Sequence, residues 1–141
     1  ACGVPDRVRM KDERSYPGWY WVHGLHDAEI LEVSMQDDTL TLWIDSSNAM
    51  FDNTVEQIAF FGARLKTPLP QPTKKQPVYW LSDELIELPF DQWKLTVKLE
   101  RYDGRKTINE SLTVSFSGAK TKRRGEPEEA LEKERSVFDG L

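Results

Sequence analysis

His23, His26, Asp27 and Glu29 fall within seven residues of one another. Imidazoles beside carboxylates can hold a divalent metal or pass protons in acid–base catalysis. On an extended chain, His23, Asp27 and Glu29 share one parity and His26 takes the other, so at most three converge unless the chain turns at Gly24. Structural zinc sites draw four ligands from separated segments, and this chain has no second Cys/His cluster. A metal-binding or metal-dependent hydrolytic domain built on these four residues is therefore the alternative reading. The simpler expectation is that His26 and Asp27 hydrogen-bond the entry to the first strand.

Other catalytic chemistry lacks its signature residues. The one thiol is Cys2, no serine sits in a Gly-x-Ser-x-Gly elbow, and no glycine loop suited to phosphate is present. The acid pairs Asp37-Asp38 and Asp83-Glu84 read as solvated turn formers. The expectation is a protein that is not an enzyme and carries no cofactor.

Charge is more informative. Residues 15–63 hold eight acids (Asp27, Glu29, Glu32, Asp37, Asp38, Asp45, Asp52, Glu56) and no Lys or Arg, whereas 64–124 hold thirteen bases against seven acids. A one-signed region steers oppositely charged partners. The chain has five tryptophans, Trp19, Trp21, Trp43, Trp80 and Trp93, and strand cores absorb most such rings. Trp43 is the exception, because alternation turns it away from Leu42 and Ile44 and sets it near Glu32 or Ser34 across a hairpin. A tryptophan ringed by carboxylates suits anchorage to a basic protein, so Glu32, Asp37, Asp38, Trp43 and Asp45 are the candidate partner-binding residues. The run Lys120, Lys122, Arg123, Arg124 lacks interleaved aromatics and precedes six acids, and the net charge is −5. Nucleic acid is accordingly not an expected partner.

The elements that must position these residues are strands. Residues 1–18 read as an irregular arm, 19–119 as a single antiparallel domain, and 120–141 as a basic linker with a short acidic helix initiated by Glu126-Pro127-Glu128-Glu129. Leu31, Val33 and Met35, then Leu40, Leu42 and Ile44, alternate about an Asp37-Asp38 turn. Val55–Leu65 gives a third strand with a bulge expected at Gly62. A proline-rich loop carries Pro68, Pro70, Pro72 and Pro77, and Val78–Leu88 reads as a strand followed by a turn. Trp93, Leu95, Val97 and Leu99, then Ile108, Leu112, Val114 and Phe116, form a long hairpin about Asp103-Gly104, expected as a type I′ turn, with Glu110 the odd member of the apolar side. The expected fold is mainly β, an antiparallel curved sheet or two-layer β-sandwich of roughly six to eight strands with a short C-terminal helix. A single cysteine forms no internal disulfide, and no apolar run reaches the ~20 residues that span a bilayer, so a soluble, cytoplasmic protein is expected.

Trp21, Leu25-His26-Asp27, Ile30 leading into Asp37-Asp38, Ile58-Ala59-Phe60 and Tyr79-Trp80-Leu81-Ser82-Asp83-Glu84 together form a pattern over residues 19–117. It resembles small bacterial β-rich domains of unknown function, some grouped with immunity proteins of polymorphic toxin systems. The resemblance implies a sheet-based fold without established catalytic residues or cofactor. It also implies a role, inhibition of a basic toxin, that agrees with the acidic, Trp-bearing hairpin.

Overall fold

The computed structural model describes residues 16–126. They form eight strands: β1 (Glu29–Gln36), β2 (Thr39–Asp45), β3 (Val55–Phe61), β4 (Arg64–Leu65), β5 (Val78–Leu88), β6 (Gln92–Asp103), β7 (Lys106–Phe116) and β8 (Gly118–Arg123). All belong to one antiparallel sheet in the order β4-β7-β6-β5-β1-β2-β3-β8. The described residues contain no helix, and the expected C-terminal helix lies outside them. Among the described residues no helix is long and apolar enough to cross a membrane.

The two ends of that order are joined covalently. β3 runs into β4 through Gly62-Ala63, β7 runs into β8 through Ser117, and the offset that pairs Phe61 with Gly118 also pairs Arg64 with Ser115. These are two long bent strands sharing one ladder, so the sheet rolls up and closes into a barrel, which removes its free edges there. The sandwich alternative is thereby overturned, since a single rolled sheet buries its own inner face. Gly62 is the corner. Its φ is +63° and a Cβ on it would lie 2.8 Å from Ser117 Oγ, so glycine is required. The register passes Gly62 unchanged, and the bulge of this strand falls instead at Glu56, between Val55 and Gln57.

Two further bulges govern which side chains face inward. One lies between Ile30 and Glu32, the other between Trp80 and Ser82. An extra residue reverses the alternation, so Ile30 and Val33 both face the core, as do Trp80 and Asp83. This is why Val78–Leu88, read as a strand and a turn, is a continuous eleven-residue strand. At the other long hairpin, Asp103 pairs with Lys106 and only Gly104 has positive φ, +64°. The turn is Gly104-Arg105, the II′ pattern with glycine first, one residue later than expected.

The barrel core contains Ile30, Leu40, Leu42, Ile58, Phe60, Trp80, Leu95, Val97, Leu99, Leu112, Val114 and Phe116, all fully buried. Glu110 is explained by Arg101, buried on the same face, whose Nε and Nη2 donate to the two carboxylate oxygens at 2.9 and 3.1 Å. The wall between β1 and β5 is incomplete, because they pair only through Glu29–Tyr79 and Ile30–Val78. Residues 16–28 stop this seam. The Asp27 amide donates to the Trp80 carbonyl and the Trp80 amide to that of Ala28, each at 2.8 Å. Thr121 Oγ1 donates to the Trp19 carbonyl at 2.6 Å, and the Trp19 ring packs edge-on against Phe60, Trp93 and Phe116.

Asp83 is where the stopper locks. Its side chain is 1% exposed, and it accepts hydrogen bonds from Tyr20 Oη, Trp21 Nε1 at 2.8 Å and Trp80 Nε1 at 2.8 Å. Two donors come from the stopper and one from β5, so the carboxylate ties them together. Burial, and then the bond to Asp83, push the Tyr20 phenol far above its ordinary value, which keeps it a donor. Asp83→Ala leaves three buried donors without an acceptor, at ~1–3 kcal/mol each. Urea unfolding of this variant is expected to show a loss of about 3–5 kcal/mol, and a loss below about 1 kcal/mol would contradict the latch.

Candidate functional site

The stopper engages the histidines separately. His23 Nδ1 lies 3.3 Å from Asp83 Oδ1 and 3.2 Å from Tyr20 Oη. His26 Nδ1 donates to the Leu81 carbonyl at 2.5 Å, while its Nε2 lies 3.5 Å from Asp27 Oδ1. Glu29 has entered β1, opposite Asp45. The four residues of the metal reading therefore do not converge, and no group of three or more His, Cys, Asp or Glu suited to a metal occurs among the described residues. The short motifs Leu25-His26-Asp27 and Tyr79–Glu84 do meet, through the His26–Leu81 bond and the Asp27–Trp80 backbone bond.

His23 and Asp83 have the relation of a base and its orienting acid, with the imidazole 53% exposed. The only other described group bonded to His23 is the Tyr16 phenol, 3.4 Å from Nε2. Among the described residues neither a serine nor a cysteine bonds this histidine. Val22 and His23 both have positive φ, +48° and +62°, which for a β-branched valine is an outlier costing ~1–3 kcal/mol. The Asp83 bonds and the close backbone packing at Gly24 hold this strained turn. A Cβ on Gly24 would lie 2.8 Å from Asp52 Cβ, and the Gly24 carbonyl accepts from the Asp52 amide at 3.0 Å.

The residues expected to bind a partner divide into two groups. Glu32 sits opposite Trp43 on the outer face of the barrel, and Asp45 lies two residues along the same strand. Asp37 and Asp38 form the β1–β2 turn, on the order of 20 Å away at ~3.3 Å per residue. Trp43 and Asp45 line an open concavity of about 620 Å³ together with Leu31, Glu56 and Arg124. Leu31 is the bulge residue of β1 and is 52% exposed. It was not legible as a surface residue, because uninterrupted alternation assigns it to the core face with Val33.

The acidic segment 15–63 and the basic run near its partner strand meet in space. β8 pairs with β3, which sets Lys122 Nζ 2.9 Å from Glu56 Oε2 and Arg123 Nη1 2.6 Å from Asp52 Oδ1. The basic run expected to be a linker thus supplies most of a barrel strand and offsets part of the acidic field. Glu29, Glu32 and Asp45, further round the barrel, have no ion pair among the described residues. Asp45 is held below its ordinary pKa by the Ser47 hydroxyl and amide, which donate at 2.7 and 3.0 Å, with Arg124 adding to the effect. Glu29, directly across the ladder, is pushed up by desolvation and by the Asp45 charge.

Comparison with family models, curated proteins and solved structures finds no match to this chain.

The raised pKa of Glu29, from desolvation first and the Asp45 charge second, predicts a pH signature. A carboxyl raised on folding resists ionisation in the folded state. Its cost is therefore full above the raised pKa and vanishes as pH falls below the unfolded value. Glu29→Gln is expected to raise the melting temperature by about 1–3 °C at pH 7 and to leave it unchanged near pH 3, with the size limited by solvent screening. A fall at pH 7, or an equal rise at both pH values, would contradict this assignment.

Proposed function

We propose that this chain is a non-catalytic protein-binding module that grips a basic partner through the outer barrel face bearing Leu31, Glu32, Trp43 and Asp45. The observation that carries this reading is an exposed leucine and a half-buried tryptophan lining one open concavity whose other residues include Asp45 and Glu56. Apolar anchors of this kind supply most of the energy in protein interfaces, while the carboxylates of Glu32 and Asp45 beside them, which have no ion pair among the described residues, govern approach and orientation. Asp37 and Asp38 steer from a distance rather than touch.

The most concrete form of the proposal is an immunity-type inhibitor acting in the cytoplasm on a basic toxin. The charge of this face and the resemblance of the His-Asp and Trp-containing motifs support that form. Arg124, also on the concavity wall, is a cation, so an otherwise basic partner matches it with one acidic group.

The test is a two-step binding experiment. A basic protein retained by the immobilised chain at low salt is purified, and its affinity is then measured for wild type, Trp43→Ala and Asp45→Lys. Loss of a central tryptophan costs about 2 kcal/mol or more, so Trp43→Ala is expected to weaken binding by at least about thirtyfold. Asp45→Lys is expected to slow association and flatten its salt dependence. Equal affinities for all three proteins would overturn the proposal.

A further inference from the structure

Around the barrel from Trp43, the outer row Asp45–Glu29–Tyr79–Glu100 crosses β2, β1, β5 and β6 at successive ladder positions. On its β5–β6 side a second cavity, of about 280 Å³, is lined by Tyr79 and Tyr102, with Asp27, Asn48, Leu81 and Glu100 completing its wall. The two phenol rings stand 5.3 Å apart at 45°. Both project from the outer face, and Tyr102 is 40% exposed. The wall carries two carboxylates and neither lysine nor arginine.

We propose that this cleft is a binding site for an organic cation, an alkylammonium or guanidinium group seated against the Tyr79 and Tyr102 rings and neutralised by Glu100 and Asp27. Angled aromatic faces attract cations through the ring quadrupole, most strongly when the charge is partly desolvated. Carboxylates at the rim add Coulomb attraction without filling the cleft. The volume lies below the ~300–1,000 Å³ of drug-sized pockets, which matches a single cationic head group. The same grouping pushes the Tyr102 phenol above its ordinary pKa, first through its hydrogen bond and charge interaction with Glu100, then by desolvation, with smaller contributions from Tyr79 and Asp27.

The fold explains why the site is preorganised. Tyr79 lies on the short stretch where β5 pairs with β1 and sits directly opposite Glu100. The Tyr102 amide is fixed to the Pro77 carbonyl at 3.0 Å. Asp27, at φ +75°, is held by its amide bond to Trp80. Rigid backbone on three sides means a cation meets the rings without reordering them.

The cationic group has two sources, a Lys or Arg side chain of a protein or a free small amine, and the probes separate them. Choline, its neutral carbon isostere 3,3-dimethyl-1-butanol, Nα-acetyl-lysine amide and Nα-acetyl-arginine amide are titrated against the full chain, following the ring protons of Tyr79 and Tyr102 by NMR. Saturable shifts are expected for cations in the millimolar range, with the neutral isostere at least about fivefold weaker. Preference for choline identifies a free amine, and preference for the amino-acid amides identifies a side chain. Tyr102→Leu and Glu100→Gln are each expected to weaken the preferred cation by at least about fivefold, while Tyr102→Phe, which keeps the ring, retains most of the binding. Equal binding of the neutral isostere, unchanged affinity in Tyr102→Leu, or no saturation by any cation up to about 50 mM would overturn the proposal. No protein partner enters the experiment, so this site and the Trp43 face succeed or fail separately.

Discussion

The carboxylate of Asp83 cannot lie in an apolar barrel without donors, and the donors it finds come from two parts of the chain that would otherwise separate. An uncompensated buried carboxylate costs several kcal/mol. Tyr20, Trp21 and Trp80 remove that cost, and in doing so fasten residues 16–28 across the seam between β1 and β5. The seam is where closure is weakest, since only two residue pairs join those strands directly. The strained turn at Val22-His23, the docking of His26 on Leu81 and the placement of Asp27 all follow from that attachment. So does the outer face, because Glu29, Tyr79 and Asp27 flank the fastened seam.

The charge distribution gains its meaning only after folding. Along the chain, residues 15–63 carry eight acids and no Lys or Arg while 64–124 carry an excess of bases, which reads as a large anionic surface. In the barrel, β3 lies beside β8, and part of the acidic charge is neutralised by Lys122 and Arg123. What remains, apart from Asp37 and Asp38 at the β1–β2 turn, is narrower: Glu29, Glu32 and Asp45 beside Trp43, and Asp27 with Glu100 beside two tyrosines. Keeping Glu29 and Asp45 opposite one another works against stability.

Much of the barrel was legible in the residue pattern, and the rest was hidden for identifiable reasons. The β1–β2 and β6–β7 hairpins stand out because their apolar residues alternate without interruption, and Glu110 was anomalous for a real cause, its pairing with Arg101. The latch was hidden because Trp80 and Asp83 have opposite parity in sequence, and only a bulge at Leu81 brings both inward. The same device at β1 moves Leu31 outward. β8 was hidden because its strand-forming residues are mostly Lys, Thr, Ala and Gly, and its pairing with β3 spans more than fifty residues. Of the candidate site, Trp43, Glu32 and Asp45 came from alternation alone, whereas the tyrosine cleft needed the closure of β5 against β1.

The most direct test of the latch is hydrogen exchange of the tryptophan indole Nε1 protons by NMR. The account predicts that the Trp21 and Trp80 indole protons exchange only through global unfolding, with the free energy found by denaturation, while that of outward-facing Trp43 exchanges quickly. Rapid exchange at Trp21 and Trp80 while the β6–β7 amides stay protected would mean that Asp83 does not hold the seam closed, and would contradict the account.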